Sequence, residues 1–323
     1  MLWLVLAFLA VFAVLVLVRA DARESAAAEA WPPEGRVIQV EGVPVHVWIS
    51  GSGPDLVMIH GASGNLRDFT FDFAERLTDR YRVILMDRPG LGWTGRQRDF
   101  QGAWNTAAES PYQQAALLQK AADTVGVERP IVLGHSFGGA VALAWALSRP
   151  DETAALVAVS GVSNPWPGGL GAFYAINSSA IGGGLVVPML TAFVPETVVR
   201  KNVAAIFAPQ DAPEGYVEHI GPDLTLRRQS MRANAQQVNN LRPHIVTMSN
   251  RYGRLKLPIE IVHGDADTIV PLEIHSIPLA RKVPGANLTV LEGVGHMPHH
   301  VMPEAVTEAI DRAATRAGLR RPD

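Results

Sequence analysis

No cysteine occurs among the 323 residues, which excludes disulfides, thiolate metal centres and a cysteine nucleophile together. A large charge of one sign is also missing. The formal net charge is -3, so the chain offers no basic excess of the kind a nucleic-acid surface needs, and no nucleic-acid partner is expected. Charged residues are scarce, 18% against 48% hydrophobic. That balance excludes a disordered chain and suits a globular one with a substantial core. No internal repeat is visible.

What is present begins with an apolar run, residues 2–18 (LWLVLAFLAVFAVLVLV). As a helix, residues 1–18 would reach about 27 Å, close to the ~30 Å hydrocarbon core of a bilayer. Ahead of it there is only the terminal amine, whereas a secretory signal carries positive side chains there. An uncleaved single-pass anchor over 1–18 is therefore favoured over a signal sequence, although ADA and AEA just beyond are possible cleavage sites. Arg19 and Arg23 follow the run and favour a cytoplasmic C-terminal side. Residues 19–35, Ala-rich and charged and ending in WPPEG, read as a linker.

From residue 36 onward, eight short apolar stretches recur: RVIQVEG, VPVHVWIS, DLVMIHG, RVILMD, PIVLGHS, AALVAVSG, PIEIVHG and NLTVLEG. The first two alternate and meet at a turn near Glu41-Gly42, as a hairpin does. The later ones are continuous apolar runs, as in strands buried on both faces of a parallel sheet. Helical patterns lie between them at 66–78, 111–125, 138–148, 272–282 and 303–317. The fold class is thus α/β, a mostly parallel sheet with helices on both faces. Some ninety residues separate the sixth and seventh strands without a clear strand among them. Residues 164–255 are expected to form a helical cap, inserted into a core of 36–163 and 256–323.

Ser136 stands between Gly134 and Gly138, after a strand and before a helix pattern. A sharp strand-to-helix turn there would lift its hydroxyl above the sheet edge, with no neighbouring side chain in the way. A base is then required. His296, in the loop after the last strand, reaches the same sheet edge; His299 and His300 fall where the next helix starts, held away by Pro298. His46 in the hairpin, His219 and His244 in the cap, and His275 in a surface helix read as packed or solvated imidazoles. An acid to orient His296 is offered by IVHGDADTIVP, with Asp267 reaching the histidine and Asp265 stabilising the turn. The chain order Ser, Asp, His agrees with this arrangement. Backbone donors for an oxyanion, each worth roughly 3–4 kcal/mol, are expected at Phe137 N–H and Ala62 N–H. No metal or organic cofactor is needed for this chemistry.

The motifs HGASGN, DRPGLG (87–92), GHSFGG, GDADTIVP and GHMPHHVMPE occur in the order and spacing of the α/β-hydrolase fold superfamily. Residues 36–315 resemble its cap-bearing branch, which includes esterases, carbon–carbon bond hydrolases and cofactor-free haloperoxidases. The resemblance implies Ser136 as nucleophile, Asp267 as acid, His296 as base, and Ala62 and Phe137 as oxyanion donors. It implies a serine hydrolase acting on an ester or related acyl bond of a small, apolar substrate. Carbon–carbon bond hydrolysis, acyl transfer or cofactor-free haloperoxidase chemistry on the same triad, or a ligand-binding protein with vestigial hydrolysis, are the other readings. Epoxide hydrolases and haloalkane dehalogenases of that branch carry aspartate where Ser136 stands. Two cap features remain: the uncharged stretch 180–194, a packed element or an apolar substrate channel, and the basic pairs 200–201 and 227–228, a solvated face or a grip on a carboxylate.

Overall fold

The computed structural model describes residues 1–321. Helices of seven residues or more are numbered in chain order. Eight strands form one sheet: β1 (Arg36–Val40), β2 (Val43–Ser50), β3 (Asp55–Ile59), β4 (Arg82–Met86), β5 (Ile131–His135), β6 (Ala155–Val159), β7 (Ile259–Gly264) and β8 (Asn287–Leu291). Their spatial order is β1-β2-β4-β3-β5-β6-β7-β8. The β1–β2 and β2–β4 pairings are antiparallel and the rest parallel. Glu41 and Gly42 both take positive φ, 50° and 78°, and join Val40 to its ladder partner Val43. Such a two-residue turn matches the twist of the flanking strands.

Strands β5, β6 and β7 are buried at every residue, which is why their sequences are unbroken apolar runs rather than alternating ones. One face of the sheet packs on α2 (Pro111–Thr124) and α3 (Phe137–Ser148). The other face packs on Leu66, Phe69, Phe73 and Leu77 and on α10 (Pro303–Arg316), whose Val306, Ala309, Ile310 and Ala313 point inward at helical spacing. Because β3 pairs with both β4 and β5, the chain diverges at the carboxyl ends of β3 and β5. In open parallel sheets a crevice forms at such a point.

Between β6 and β7 the insertion is helical, as expected: α4 (Ala172–Ser178), α5 (Val187–Phe193), α6 (Glu196–Phe207), α7 (Arg228–Asn239) and α8 (Leu241–Ser249). It is fastened to loops at the strands' carboxyl ends. Asn234 accepts from Ser63 N–H at 2.7 Å and donates to Ser63 Oγ at 2.9 Å. Gln210 accepts from Gly295 N–H at 2.9 Å and donates to the Gly293 carbonyl at 2.6 Å. The remaining helix, α9 (Ser276–Lys282), leads into β8.

The N-terminal region departs from expectation. α1 runs unbroken from Leu2 to Ala30, so residues 19–30 are helix rather than linker. Alanine is the strongest helix former, and the Glu and Arg residues among these alanines are also favourable. The helix ends at Trp31, ahead of Pro32-Pro33, where proline forbids continuation. Its second half is docked on the insertion: Arg228 binds Glu24 at 2.8 Å, Arg23 binds Asp223 at 2.9 Å, and Trp31 Nε1 donates to the Glu218 carbonyl at 2.8 Å. Arg228 is thus spent on α1, and Arg227 lies over the Trp93 ring at 5.0 Å. Arg200 does sit on an exposed face, paired with Glu196 and Glu218. Among residues 2–18 only Val16 is buried, and α1 is long and apolar enough to cross a membrane.

Candidate active site

Ser136 is the first residue past β5 and precedes α3. Its backbone stands at φ 54°, ψ -119°, a region that costs a non-glycine residue of order 1–3 kcal/mol. Three backbone hydrogen bonds hold it there: Ser136 N–H to the Val159 carbonyl, and the N–H groups of Gly139 and Val162 to the Ser136 carbonyl, all 3.0 Å. The flanking glycines are needed for contact. A Cβ on Gly134 would run into the Gly138 backbone, and one on Gly138 into the Ile59 carbonyl.

His296 Nε2 lies 2.9 Å from Ser136 Oγ, and His296 Nδ1 lies 2.7 Å from Asp267 Oδ2. An ionised carboxylate only accepts, so Nδ1 carries the proton and the Nε2 lone pair faces the serine hydroxyl, which donates to it. All three side chains are buried. Burial pushes the Asp267 carboxyl up, but hydrogen bonds from His263 and His296 outweigh it and hold the group well below the usual carboxylate range. Asp267 Oδ1 also accepts from Ile269 and Val270 N–H at 2.9 and 3.0 Å. The loop after β7 is therefore wrapped around this carboxylate. Asp265 faces elsewhere, accepting from Gly293 N–H at 2.7 Å, which ties the loop after β7 to the turn after β8.

Phe137 opens α3 directly after Ser136, and Ala62 follows Gly61 in the loop after β3. A Cβ on Gly61 would come within 3.1 Å of Ser136 Cβ. A residue that sequence reasoning missed supports this loop. Arg88, fully buried, donates through Nη2 to the Gly61 carbonyl at 3.0 Å and through Nη1 to Gln114 and Gln237, each at 3.0 Å. Its guanidinium lies 4.2 Å from the Phe137 ring centroid. The Gly61 carbonyl belongs to the peptide whose N–H is that of Ala62, so the cation pulls electron density from that N–H. Asp87 beside it accepts from Leu66 and Trp93 N–H at 2.7 and 2.8 Å. The DRPGLG motif thus braces the loops around the serine.

Histidines account for the other surprises. His263 donates through Nε2 to the Val270 carbonyl at 2.7 Å and lies 3.2 Å from Asp267. His275 is not on a surface: it is buried, and its Nδ1 accepts from Ser163 and Asn164 N–H, both at 3.3 Å. His135 donates through Nε2 to the His296 carbonyl at 2.9 Å. His299 and His300 are indeed kept off the serine, because both bind Asp68, at 3.2 and 2.9 Å. Burial opposes the Asp68 charge, yet His299 and His300 hold its carboxyl well below the usual range. Tyr216 of the insertion donates to Asp68 at 2.7 Å. Among the described residues, Asp68, His135 and His299 bring three ligand atoms within 4.8 Å of one another. No short-range sequence spacing announces this cluster, since its members come from the end of β5 and from two short helical turns far apart in the chain.

A serine, a histidine and a carboxylate in hydrogen-bonded series at the carboxyl edge of a mostly parallel sheet flanked by helices place the chain in the class of α/β-hydrolase folds. Residues 56–309 match the model of the alpha/beta hydrolase family, and the chain belongs to that family. The 2-hydroxymuconate semialdehyde hydrolase of Pseudomonas putida is 28% identical over 82% of this chain and 88% of its own. An alpha/beta hydrolase fold protein from Burkholderia ambifaria superposes with TM-score 0.69 at 23% identity, over 85% of this chain and 96% of that one. A bacterial membrane phospholipase A superposes with TM-score 0.63 at 20% identity, over 99% of this chain and 98% of its own.

Proposed function

We propose that this chain is a membrane-anchored serine hydrolase that cleaves an ester or related acyl bond of a small, apolar substrate. The observation that carries the reading is the relay from Asp267 through His296 to a serine held in a strained turn. In this mechanism Ser136 Oγ attacks the acyl carbon as His296 Nε2 takes its proton. The oxyanion is received by the N–H groups of Ala62 and Phe137, and the imidazolium is stabilised by Asp267. The proton then passes from Nε2 to the leaving alcohol, giving an acyl-enzyme. Water, deprotonated by His296, attacks that acyl group, and the acid departs as Ser136 recovers its proton. Anchoring rests on α1, whose residues 2–18 leave the body almost bare.

Carbon–carbon bond hydrolysis on the same three residues is the second reading, favoured by the 28% identity to the Pseudomonas putida enzyme. A fluorophosphonate probe tests the shared chemistry. Rapid labelling of the wild type and none of Ser136→Ala is expected; equal labelling of both, or of neither, leaves a binding protein with vestigial hydrolysis. A panel of p-nitrophenyl esters of increasing chain length beside a vinylogous β-diketone then separates the two reactions.

A further inference from the structure

The insertion carries a surface that the proposed chemistry does not use. Ile181, Leu185, Met189 and Phe193 succeed one another at four-residue spacing through a π-helical turn (Gly182–Val186) and α5. They are 67%, 56%, 45% and 48% exposed. Phe173 and Ile176 of α4 are about as bare, and exposed Trp104 lays its ring against Gly184. Residues 172–195 contain no charged side chain. Folded proteins rarely show water a contiguous apolar face of this kind without a partner for it.

The position of α1 identifies the partner. α1 packs along α5, with Val16 and Ala20 buried against Ala192. Arg19 donates to the Ala192 carbonyl at 2.8 Å and Arg23 to the Val194 carbonyl at 2.6 Å. The apolar stripe is therefore clamped beside the point where the anchor leaves the body, with no loose tether between them. Both apolar stretches also end at one level: charge begins at Arg19 on α1 and at Glu196 just past Phe193. The Arg19 guanidinium lies over the Phe193 ring, 5.3 Å from its centroid, so the first charge on α1 sits at the end of the apolar stripe, as at a lipid–water boundary.

We infer that the exposed face of α4, the π-helical turn and α5 docks into the acyl region of the same leaflet that α1 enters, as an interfacial element of the cap. This rests on the anchor part of the function proposed above. Its consequence is positional. The inner sides of these helices pack on α7, whose Asn234 and Gln237 bind Ser63 and Arg88 beside the serine. The roof of the site is thus the membrane-docking element, and an acyl substrate is delivered from the leaflet.

The native chain has no cysteine, so single cysteines report cleanly. Leu185→Cys and Met189→Cys are prepared in the full chain, with Phe12→Cys on α1 and Glu308→Cys on exposed α10 for reference. Each is labelled with an environment-sensitive fluorophore and reconstituted in phosphatidylcholine–phosphatidylglycerol vesicles containing lipids nitroxide-labelled near the headgroup end of the acyl chain. Positions 185 and 189 should lose at least half their emission to the nitroxide and resist aqueous iodide, with position 308 behaving oppositely. Iodide quenching without nitroxide quenching at 185 and 189, while position 12 is quenched by lipid, overturns cap docking and leaves the anchor standing. Lipid quenching at 185 and 189 but not at 12 supports docking and removes the anchor. Shielding of 185 and 189 from both quenchers, with self-quenching between labelled chains, means that a second copy covers the stripe and overturns the inference. None of these readouts depends on hydrolysis, so they stand whatever the phosphonate experiment gives.

Discussion

Replacing Arg88 by methionine keeps an unbranched apolar stem, two atoms shorter, and removes the charge and donors. The change leaves the Oε1 atoms of Gln114 and Gln237 without their cationic partner, and leaves the Gly61 carbonyl with His60 Nδ1 alone, at 2.9 Å. Each unpaired buried acceptor costs about 1–3 kcal/mol. Methionine recovers part of that by removing the burden of a fully buried cation, so a net loss of about 2–4 kcal/mol is expected. Activity should fall by a separate route. The Gly61–Ala62 peptide loses the cation that polarises it, and a whole oxyanion donor is worth about 3–4 kcal/mol. Forfeiting roughly half of one, about 1.5–2 kcal/mol, lowers kcat about 10- to 30-fold, with KM little changed, because that bond strengthens only in the transition state. The assay pairs steady-state kinetics on a p-nitrophenyl ester with urea unfolding of the same samples. Gln237→Ala is the control: it removes a partner of Arg88 but leaves the Gly61 bond, so it should lower stability while sparing kcat. A stable fraction of Arg88→Met with wild-type kcat would refute the argument and reduce Arg88 to a packing role.

The triad should behave as a unit: Ser136→Ala, His296→Ala and Asp267→Ala each lower kcat at least 10³-fold, and the triple variant is little worse than Ser136→Ala. Asp265→Ala, which removes only the bond to Gly293, should cost far less than Asp267→Ala, and the reverse order with folding intact would move the acid to Asp265. Stability should be lost on the acid side: burial lowers His60, His275 and His299 to about 4 from 6.5. As pH falls, the unfolded chain takes up these protons first, so stability is full above about pH 6.5 and declines toward pH 4, by up to about 4 kcal/mol per pH unit for three groups. Urea midpoints at pH 7.5, 6.0 and 5.0 check this, and a constant midpoint would contradict it.

Some features needed nothing beyond local order along the chain. Each strand shows as an apolar run ended by turn residues, and the Gly134–Gly138 bracket shows as a turn too tight for side chains. Both are short-range consequences of backbone sterics and burial. Which of Asp265 and Asp267 faces His296 is a matter of tertiary contact: Asp267 meets the imidazole and Asp265 binds Gly293 N–H. Tertiary structure alone decided the rest. Arg88 reaches Gly61, His135 reaches His296, and Asp68 gathers two histidines and Tyr216 across more than a hundred residues. Such partners meet only when loops from different strands converge on one sheet edge, and no spacing in the chain records that. The same holds for α1. Composition shows an apolar run, but whether the alanine-rich segment after it hangs free or is clamped to the cap depends on Arg228, Asp223 and Ala192, roughly two hundred residues away. Helix propensity kept that segment helical, and the contacts of a distant insertion fixed its place.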